Sequence, residues 1–262
     1  MSQNTDSNEY SRYFSLRQKV YLVNMSEDRN SEIYESLSGT VTSCGLDTLE
    51  LMISHDGHGT LEEEIGKTTY KLTSEALGSG IQIMADLTGI VAGTIFQLRL
   101  QGTLEMFQRR IAQRLDISAR TFQLRANFPI AVFKKKWKQV RDQLSKNHVL
   151  PGLVLQATKI NLSVGGFGFT LEPAIRPTPL SMIFIALDDG LPICALAETV
   201  WEQRVGEGLR CGFRFIHILK SDQERINSYL GNAIRERGDT YQDFKRNWVL
   251  VDKMVMDVVK PV

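Results

Sequence analysis

The chain has 262 residues, of which 42% are hydrophobic and 23% are charged, values that suit a soluble globular protein of one large or two average domains. No apolar run approaches the roughly 20 residues that a membrane-spanning helix needs. The N-terminus lacks the basic and apolar parts of a secretory signal, and the cysteines Cys44, Cys194 and Cys211 lie far apart without metal-ligand spacing. The sequence predicts a cytoplasmic protein with buried, reduced thiols, no metal site and no membrane insertion.

The net charge of +1 conceals a segregation of charge along the chain. Residues 1–108 carry 7 Lys or Arg against 15 Asp or Glu, residues 109–148 carry 11 against 2, and residues 149–262 carry 13 of each. A solvated basic surface is the commoner explanation of such a run, and an anionic ligand or partner is the alternative.

Two parts of the chain have the pattern of β domains. Six segments between residues 16 and 107 combine β-branched and aromatic residues with alternating polarity, and glycines separate them where turns are expected. The pattern predicts an antiparallel barrel or sandwich. It returns between residues 121 and 218, with TFQLRANFPIAVF (121–133) as the first strand. The next segment, 134–152, is polar and basic and predicts an exposed connection with a short helix before Pro151.

The clearest helix is predicted over about 221–237. Ser221 and Glu224 fit an S-x-x-E capping box, and basic residues with Gly238 fit a C-terminal stop. Its apolar face is expected to cover the mouth of the second barrel. The residues of that face are Ile226, Tyr229, Leu230, Ala233 and Ile234. Residues 241–262 form an amphipathic tail that fits either helix or strand.

The sequence shows no pattern typical of catalysis. The four histidines occur in no metalloprotease or triad context, and His55 and His58 share a glycine-rich loop that lacks further metal ligands. No phosphate-binding loop opens a helix, because the GGFG sequence follows one strand and leads into another. We therefore predict that the protein is not an enzyme and has no cofactor.

Two short motifs suit a ligand that contains guanine and phosphate. The first is R-R-x-x-x-R, formed by Arg109, Arg110 and Arg114, whose guanidinium groups can bind phosphates and the O6/N7 edge of guanine. The second is N-L-S-V-G-G, residues 161–166, at a turn between two predicted strands. Asn161 offers a donor and an acceptor, Ser163 offers a hydroxyl, and the glycines offer backbone without side chains.

These motifs resemble those of PilZ domains, which bind the bacterial second messenger cyclic di-GMP. Members carry R-x-x-x-R before the first barrel strand and (D/N)-x-S-x-x-G on the barrel, followed by a strand with G-x-x-F and a closing helix. Here Arg110 to Arg114 match the first motif and Asn161 to Gly166 the second, and CGFRF with the following helix matches the ending. The resemblance covers about residues 105–238.

The resemblance implies a set of ligand-binding residues: Arg109, Arg110, Arg114, Asn161, Ser163, Gly165 and Gly166. The arginines would hold phosphates and guanine edges, while the barrel motif would receive the other guanine. In the family, an extra arginine at the position of Arg109 is associated with a stacked pair of ligands, since a second dianion needs more positive charge.

The resemblance also implies the domain organisation of YcgR-type flagellar brake proteins, which carry a PilZ-like barrel before the PilZ domain. The expected fold class is all-β with a C-terminal helix, as two antiparallel β-barrels in tandem. The expected parts are an N-terminal barrel (1–107), an arginine-rich switch segment (108–116), a PilZ domain (117–240) and the C-terminal tail (241–262). The insertion of KKKWK and LSKNH departs from the family pattern.

The expected function is that of a cyclic di-GMP receptor whose ligand changes the geometry between the two barrels and so regulates a partner. Flagellar motility, polysaccharide synthesis for biofilms and transcription remain open as pathways, as do the monomeric and homodimeric states. One alternative is a nucleic-acid-binding protein that uses residues 109–148 and Trp137. Another is a degenerate PilZ protein that binds no ligand and serves only as an interaction module, because arginine runs and Asn-Ser-Gly turns also occur for local reasons.

Overall fold

The computed structural model describes residues 10–55, 65–76, 79–107, 113–147, 150–173, 175–187 and 191–240. The described residues of ranges 1–31 and 35–111 form one compact unit, and those of ranges 32–34 and 112–244 form another. Each unit is built around an antiparallel β-barrel, which confirms the predicted fold class. The predicted C-terminal tail, 241–262, lies outside the described residues.

The first unit closes six strands into a barrel in the order β1-β3-β4-β7-β6-β5. Their bounds are β1 Lys19–Asn24, β3 Leu37–Cys44, β4 Thr48–Ile53, β5 Thr69–Ala76, β6 Ser79–Val91 and β7 Ile95–Phe107. Alternate side chains point into the barrel, where Leu22, Leu51 and Leu72 are fully buried. A 3-10 turn, Ser11–Tyr13, precedes β1, and a short helix, α1 (Met25–Asn30), follows it.

The second unit also closes six strands, in the order β10-β9-β8-β11-β12-β13, through the pairing of β10 with β13. Their bounds are β8 Leu115–Arg125, β9 Gln156–Ser163, β10 Gly166–Leu171, β11 Leu180–Ala186, β12 Pro192–Val205 and β13 Gly208–Leu219. A short strand from earlier in the chain, β2 (Ile33–Glu35), extends this sheet beside β13. The first and last strands of this order, β10 and β13, therefore pair with each other, which leaves the described barrel strands without a long open edge.

The closing helix α3 spans Lys220–Glu236 and confirms the predicted helix. Ile226, Leu230 and Ile234 belong to the buried cluster that fills the barrel, as predicted for its apolar face. The predicted capping box is wrong. The N-cap residue is Leu219 without a side-chain hydrogen bond, because the helix begins at Lys220, whose backbone N–H donates to Glu32 O at 2.8 Å.

The basic segment after β8 is a helix and not the predicted exposed connection. Helix α2 spans Ile130–Asn147, so the last part of the predicted strand 121–133 is also helical. Phe133, Trp137 and Leu144 are buried against the outer face of the barrel. Trp137 Nε1 donates to Cys194 O at 2.8 Å, and its ring meets His217 edge-on at 4.4 Å. The apolar side chains recur at helical spacing and override the polarity of the lysines between them.

An ion-pair cluster links α2 to α3. The buried carboxylate of Asp222 on α3 accepts hydrogen bonds from Arg141 on α2 at 3.4 Å and from Arg225 at 2.8 Å. Arg225 also donates to Leu191 O at 2.7 Å. These charge-assisted bonds satisfy a carboxylate that burial alone would destabilise, so they hold both helices in place on the barrel.

The cysteines differ in burial. Cys194 and Cys211 are buried free thiols, as predicted, whereas Cys44 is only half-buried, contrary to the prediction. Cys44 lies at the end of β3, where the strand leaves the first barrel. No helix among the described residues is long and apolar enough to span a membrane.

Candidate functional site on the second barrel

The N-x-S-x-x-G motif forms a tight hairpin between β9 and β10. Asn161 and Ser163 are the last residues of β9 on its outer side, and Gly166 is the first residue of β10. The buried Ser163 hydroxyl donates to Gly166 O at 3.1 Å. The side chain of Leu162, which lies between Asn161 and Ser163 in the sequence, is part of the core. This hydrogen bond connects the two ends of the turn, so the serine has a structural role inside the hairpin.

The two glycines of the motif have different surroundings. A Cβ on Gly166 would collide with the carbonyl oxygen of Phe213 on the neighbouring strand β13. Gly165 is exposed, and a Cβ there would meet nothing within 4 Å, while its carbonyl accepts from the N–H of Phe215 at 3.0 Å. Close strand approach therefore requires glycine at 166 only, and the open space at 165 leaves room for a ligand.

The strand register brings the two sequence motifs together. Leu115, the first residue of β8, pairs with Leu162 on β9. Arg114 directly precedes β8 and is exposed, so it lies at the end of the sheet where the Ser163 hairpin turns. Arg109 and Arg110 lie outside the described residues. Of the predicted arginines, the structure therefore brings Arg114 to the hairpin.

Asn161 has a partner that the sequence analysis missed. Asp116 lies opposite it in the register of β8 and β9, and Asn161 Nδ2 donates to Asp116 Oδ1 at 2.7 Å. Both side chains point away from the core, because the flanking residues Leu115, Ile117, Ile160 and Leu162 fill the barrel interior. Asp116 is exposed and Asn161 is half-buried. The motif's amide is thus oriented by a neighbouring carboxylate.

A single row of paired residues crosses five strands on the outer face. Asn161 pairs with Gly168 on β10, Gly168 with Gly212 on β13, and Gly212 with Trp201 on β12. The Trp201 ring lies against Gly212, where a Cβ would collide with the indole nitrogen, yet 38% of Trp201 stays exposed. Trp201 is therefore not a core residue, although a tryptophan in a predicted strand is commonly buried. An exposed indole can stack on a base.

The end of α3 adds a second basic residue near the start of β8. The exposed Arg237 donates through Nη2 to Asp116 O at 3.4 Å, and Gln113 Nε2 donates to Thr240 O at 3.2 Å. Arg237 and Arg114 thus flank Asp116. In the sequence, Arg237 looked like part of a helix stop signal, and only the tertiary fold shows its place beside Asp116.

The described part of the site combines positive charge, hydrogen-bonding groups and an aromatic surface. Among the described residues, no group of three or more His, Cys, Asp or Glu side chains lies close enough to hold a metal ion. The arrangement instead suits an anionic ligand with a planar base, because guanidinium groups bind phosphate and an indole can stack on a base.

A comparison with known protein families matches the part of the chain that contains the second barrel and the candidate site. The sequence model of the PilZ domain matches residues 108–232, which include both motifs and most of α3. Residues 108–232 are therefore similar to the PilZ domain. No curated protein matches the sequence of the whole chain.

Three solved structures resemble the chain at low identity. Bacillus subtilis MotI/DgrA, an inhibitor of motility, has 13% identity over 86% of this chain and 98% of its own, with a TM-score of 0.35. Escherichia coli YcgR in complex with c-di-GMP has 14% identity over 84% of this chain and 85% of its own, with a TM-score of 0.33. The K. pneumonia MrkH complex with c-di-GMP has 14% identity, coverages of 85% and 89% and a TM-score of 0.31.

Proposed function

We propose that this PilZ protein is a cyclic di-GMP receptor that binds its ligand on the outer face of the second barrel. The observation that carries the proposal is the register of β8 and β9, which sets Arg114 beside the Asn161–Gly166 hairpin although 47 positions separate Arg114 from Asn161. Arg114 of the first motif and the hairpin of the second motif thereby lie at one end of one sheet, which supports the proposal. Neither half alone would support the same conclusion.

Each group has a chemical task in this proposal. Arg110 and Arg114 bind phosphate oxygens or the O6/N7 edge of guanine through two parallel N–H donors. Asn161 hydrogen-bonds a guanine, and the open space over Gly165 lets the ligand approach the hairpin. Arg109 supplies the extra charge for a second, stacked ligand. All these contacts are non-covalent, so the site binds its ligand without a chemical step.

The proposed response is a change in the segment that joins the two units along the chain. The ligand would contact the arginine-rich segment 108–116, and the free energy of that contact would favour one arrangement of the units over others. The output would be altered contact with a protein partner, such as a motor component or a polysaccharide synthesis protein. Under this proposal the protein acts in the cytoplasm, where the second messenger is made.

Calorimetric titration of the full chain with cyclic di-GMP tests the proposal. We expect saturable binding that Arg114→Ala weakens by roughly 10- to 100-fold, as for the loss of a charge-assisted hydrogen bond. Arg120→Ala is the matched control, since Arg120 is an exposed arginine on the same strand β8. The double variant Arg110→Ala, Arg114→Ala should abolish binding. Absence of heat with the natural chain, or equal losses in the two single variants, would refute the proposed site.

A second candidate function rests on helix α2. It carries six Lys or Arg and one Asp, and Lys135, Lys136 and Lys138 are exposed, whereas Trp137 among them is buried. Such a face suits a polyanion. If it binds DNA, the affinity should fall steeply between about 50 and 200 mM salt and should drop when Lys135, Lys136 and Lys138 are changed to Ala. No binding of duplex or single-stranded DNA at low salt would exclude this function.

A further inference from the structure

The Asp116 carboxylate is unexpected in a site for a doubly negative ligand. Asp116 is exposed between Arg114, two residues before it, and Arg237, which donates to its backbone carbonyl. A carboxylate close to phosphates opposes binding by Coulomb repulsion. Its presence is compatible with tight binding if it accepts hydrogen bonds from the ligand itself.

The hydrogen bond between Asn161 and Asp116 determines which atoms face a ligand. An ionised carboxylate only accepts hydrogen bonds, so the amide nitrogen of Asn161 must face Asp116, and the amide oxygen Oδ1 must point elsewhere. Asp116 Oδ1 accepts this bond at 2.7 Å, and within the described part of the chain no side chain donates to Oδ2. The pair therefore presents two acceptors, Asp116 Oδ2 and Asn161 Oδ1, beside the second N–H of the Asn161 amide.

Guanine and adenine differ in the hydrogen-bonding groups that they present to such a pair of acceptors. The Watson–Crick edge of guanine carries two adjacent donors, N1–H and the N2 amino group, which match a carboxylate oxygen and an amide oxygen. Adenine has an acceptor at N1 and no amino group at C2, so the amide oxygen would face a lone pair and the carboxylate would face a C–H group. A buried or half-buried acceptor left without a donor costs binding free energy, which is the basis of discrimination.

We infer that Asp116 is a specificity-determining residue whose Oδ2 accepts a hydrogen bond from the N2 amino group of a guanine, beside N1–H at Asn161 Oδ1, and so selects guanine over adenine dinucleotides. The inference rests on the proposed function and deepens it, because it assigns base selection to a residue outside both sequence motifs. Asn161 supplies the neighbouring acceptor, and the arginines bind the phosphates that all cyclic dinucleotides share.

Three ligands of equal charge test the inference by calorimetry on the full chain: cyclic di-GMP, cyclic di-AMP and the inosine analogue cyclic di-IMP, which lacks only the N2 amino groups. The natural chain should prefer cyclic di-GMP to cyclic di-IMP by about 5- to 100-fold, the range for losing a good base contact. Asp116→Ala should reduce that preference to less than about 3-fold and weaken discrimination against cyclic di-AMP. Because the charges are equal, repulsion cancels in each ratio.

Two further variants separate base reading from a structural role. Asn161→Ala keeps the carboxylate, so it should weaken all ligands yet retain part of the preference over cyclic di-IMP. Asp142→Ala, which removes an exposed acidic residue from α2, should change no ratio. Thermal melts check that each variant folds.

The outcomes distinguish this inference from the proposed function. If the natural chain binds no cyclic di-GMP, both the proposed function and the inference about Asp116 are refuted. If it binds but Asp116→Ala keeps the same preference over cyclic di-IMP, or binds every ligand more tightly with unchanged ratios, the proposed function survives and the role of Asp116 is refuted.

Discussion

Several glycines of the two barrels differ in the groups that lie against them. In the first barrel, a Cβ on Gly80 would meet the ring of Phe107, and one on Gly89 would meet the side chain of Gln97. These glycines are covered by side chains of the adjacent strand. In the second barrel, Gly166 and Gly168 face the backbone carbonyls of β13 instead. The contrast concerns these positions and not each barrel as a whole, because a Cβ on Gly39 of the first barrel would lie 3.2 Å from Met52 O and Gly212 of the second barrel is covered by the Trp201 ring.

The contrast extends to what surrounds those positions. The glycine row of the second barrel ends in a polar pair, Asn161 with Asp116, on one side and the exposed Trp201 ring on the other. Under the proposed function, a few residues at registered positions would give one barrel a binding site without a change of fold. Helix α2 covers another face of that barrel through Trp137.

The largest effect is expected from removing the side chain that holds α2 on the second barrel. Trp137→Ala deletes a buried ring and its hydrogen bond to Cys194 O, which should lower the free energy of unfolding of the second unit by about 3–5 kcal/mol. The control Lys138→Ala changes the neighbouring exposed residue and should have little effect. Scanning calorimetry should show a shifted transition for the second unit and an unchanged one for the first, and a shift of both would contradict the separation.

A smaller effect is expected at the glycines. Gly166→Ala forces a methyl group against a backbone carbonyl, which cannot rotate away, and should destabilise the second unit by about 2–3 kcal/mol. Gly80→Ala meets the Phe107 ring, which can adopt another rotamer, so it should cost the first unit less. Gly165→Ala is the local control because its Cβ would meet nothing within 4 Å. Urea unfolding measures the loss of unfolding free energy in each of the three variants. Equal losses for Gly80→Ala and Gly166→Ala would show that a side-chain neighbour and a backbone neighbour cost the same.

The smallest effect concerns thiol chemistry and leaves stability unchanged. Burial raises the pKa of the Cys194 thiol strongly and raises the pKa of the half-buried Cys44 thiol as well. A raised pKa lowers the thiolate fraction at neutral pH, and reaction rates depend on the thiolate. With a disulfide reagent, Cys44 of the first barrel should react first and faster as pH rises, while Cys194 should react only after unfolding. Mass spectrometry of the modified peptides gives the order, and rapid labelling of Cys194 in the folded protein would be inconsistent with its burial.

Much of the fold could be predicted from local patterns. Alternating residues gave the strands of both barrels, and the spacing of Ile226, Leu230 and Ile234 gave the buried face of α3. Helix α2 was missed because the lysines between Phe133 and Trp137 dominate the composition of that segment. Its helical spacing is present but sparse, and only the outer face of the barrel gives the apolar residues something to pack against.

The candidate site was predictable only as separate motifs. Simple alternation along β12 would put Trp201 on the same side as the buried Ala197, but a register shift between Thr199 and Trp201 turns the ring outward. The sequence carries no sign of that bulge. Asp116 was missed because its importance comes from pairing with Asn161, and cross-strand register depends on the tertiary structure.

Amide chemical shifts of the full chain, recorded during titration with cyclic di-GMP, test the central claim that the ligand binds on the outer face of the second barrel. The account predicts changes at Asp116, the side-chain amide of Asn161, Gly165 and the indole N–H of Trp201. The interior strands of the first barrel, such as β4, should be unaffected. Saturating ligand that leaves those signals unmoved, or that shifts signals of β4 instead, would contradict it.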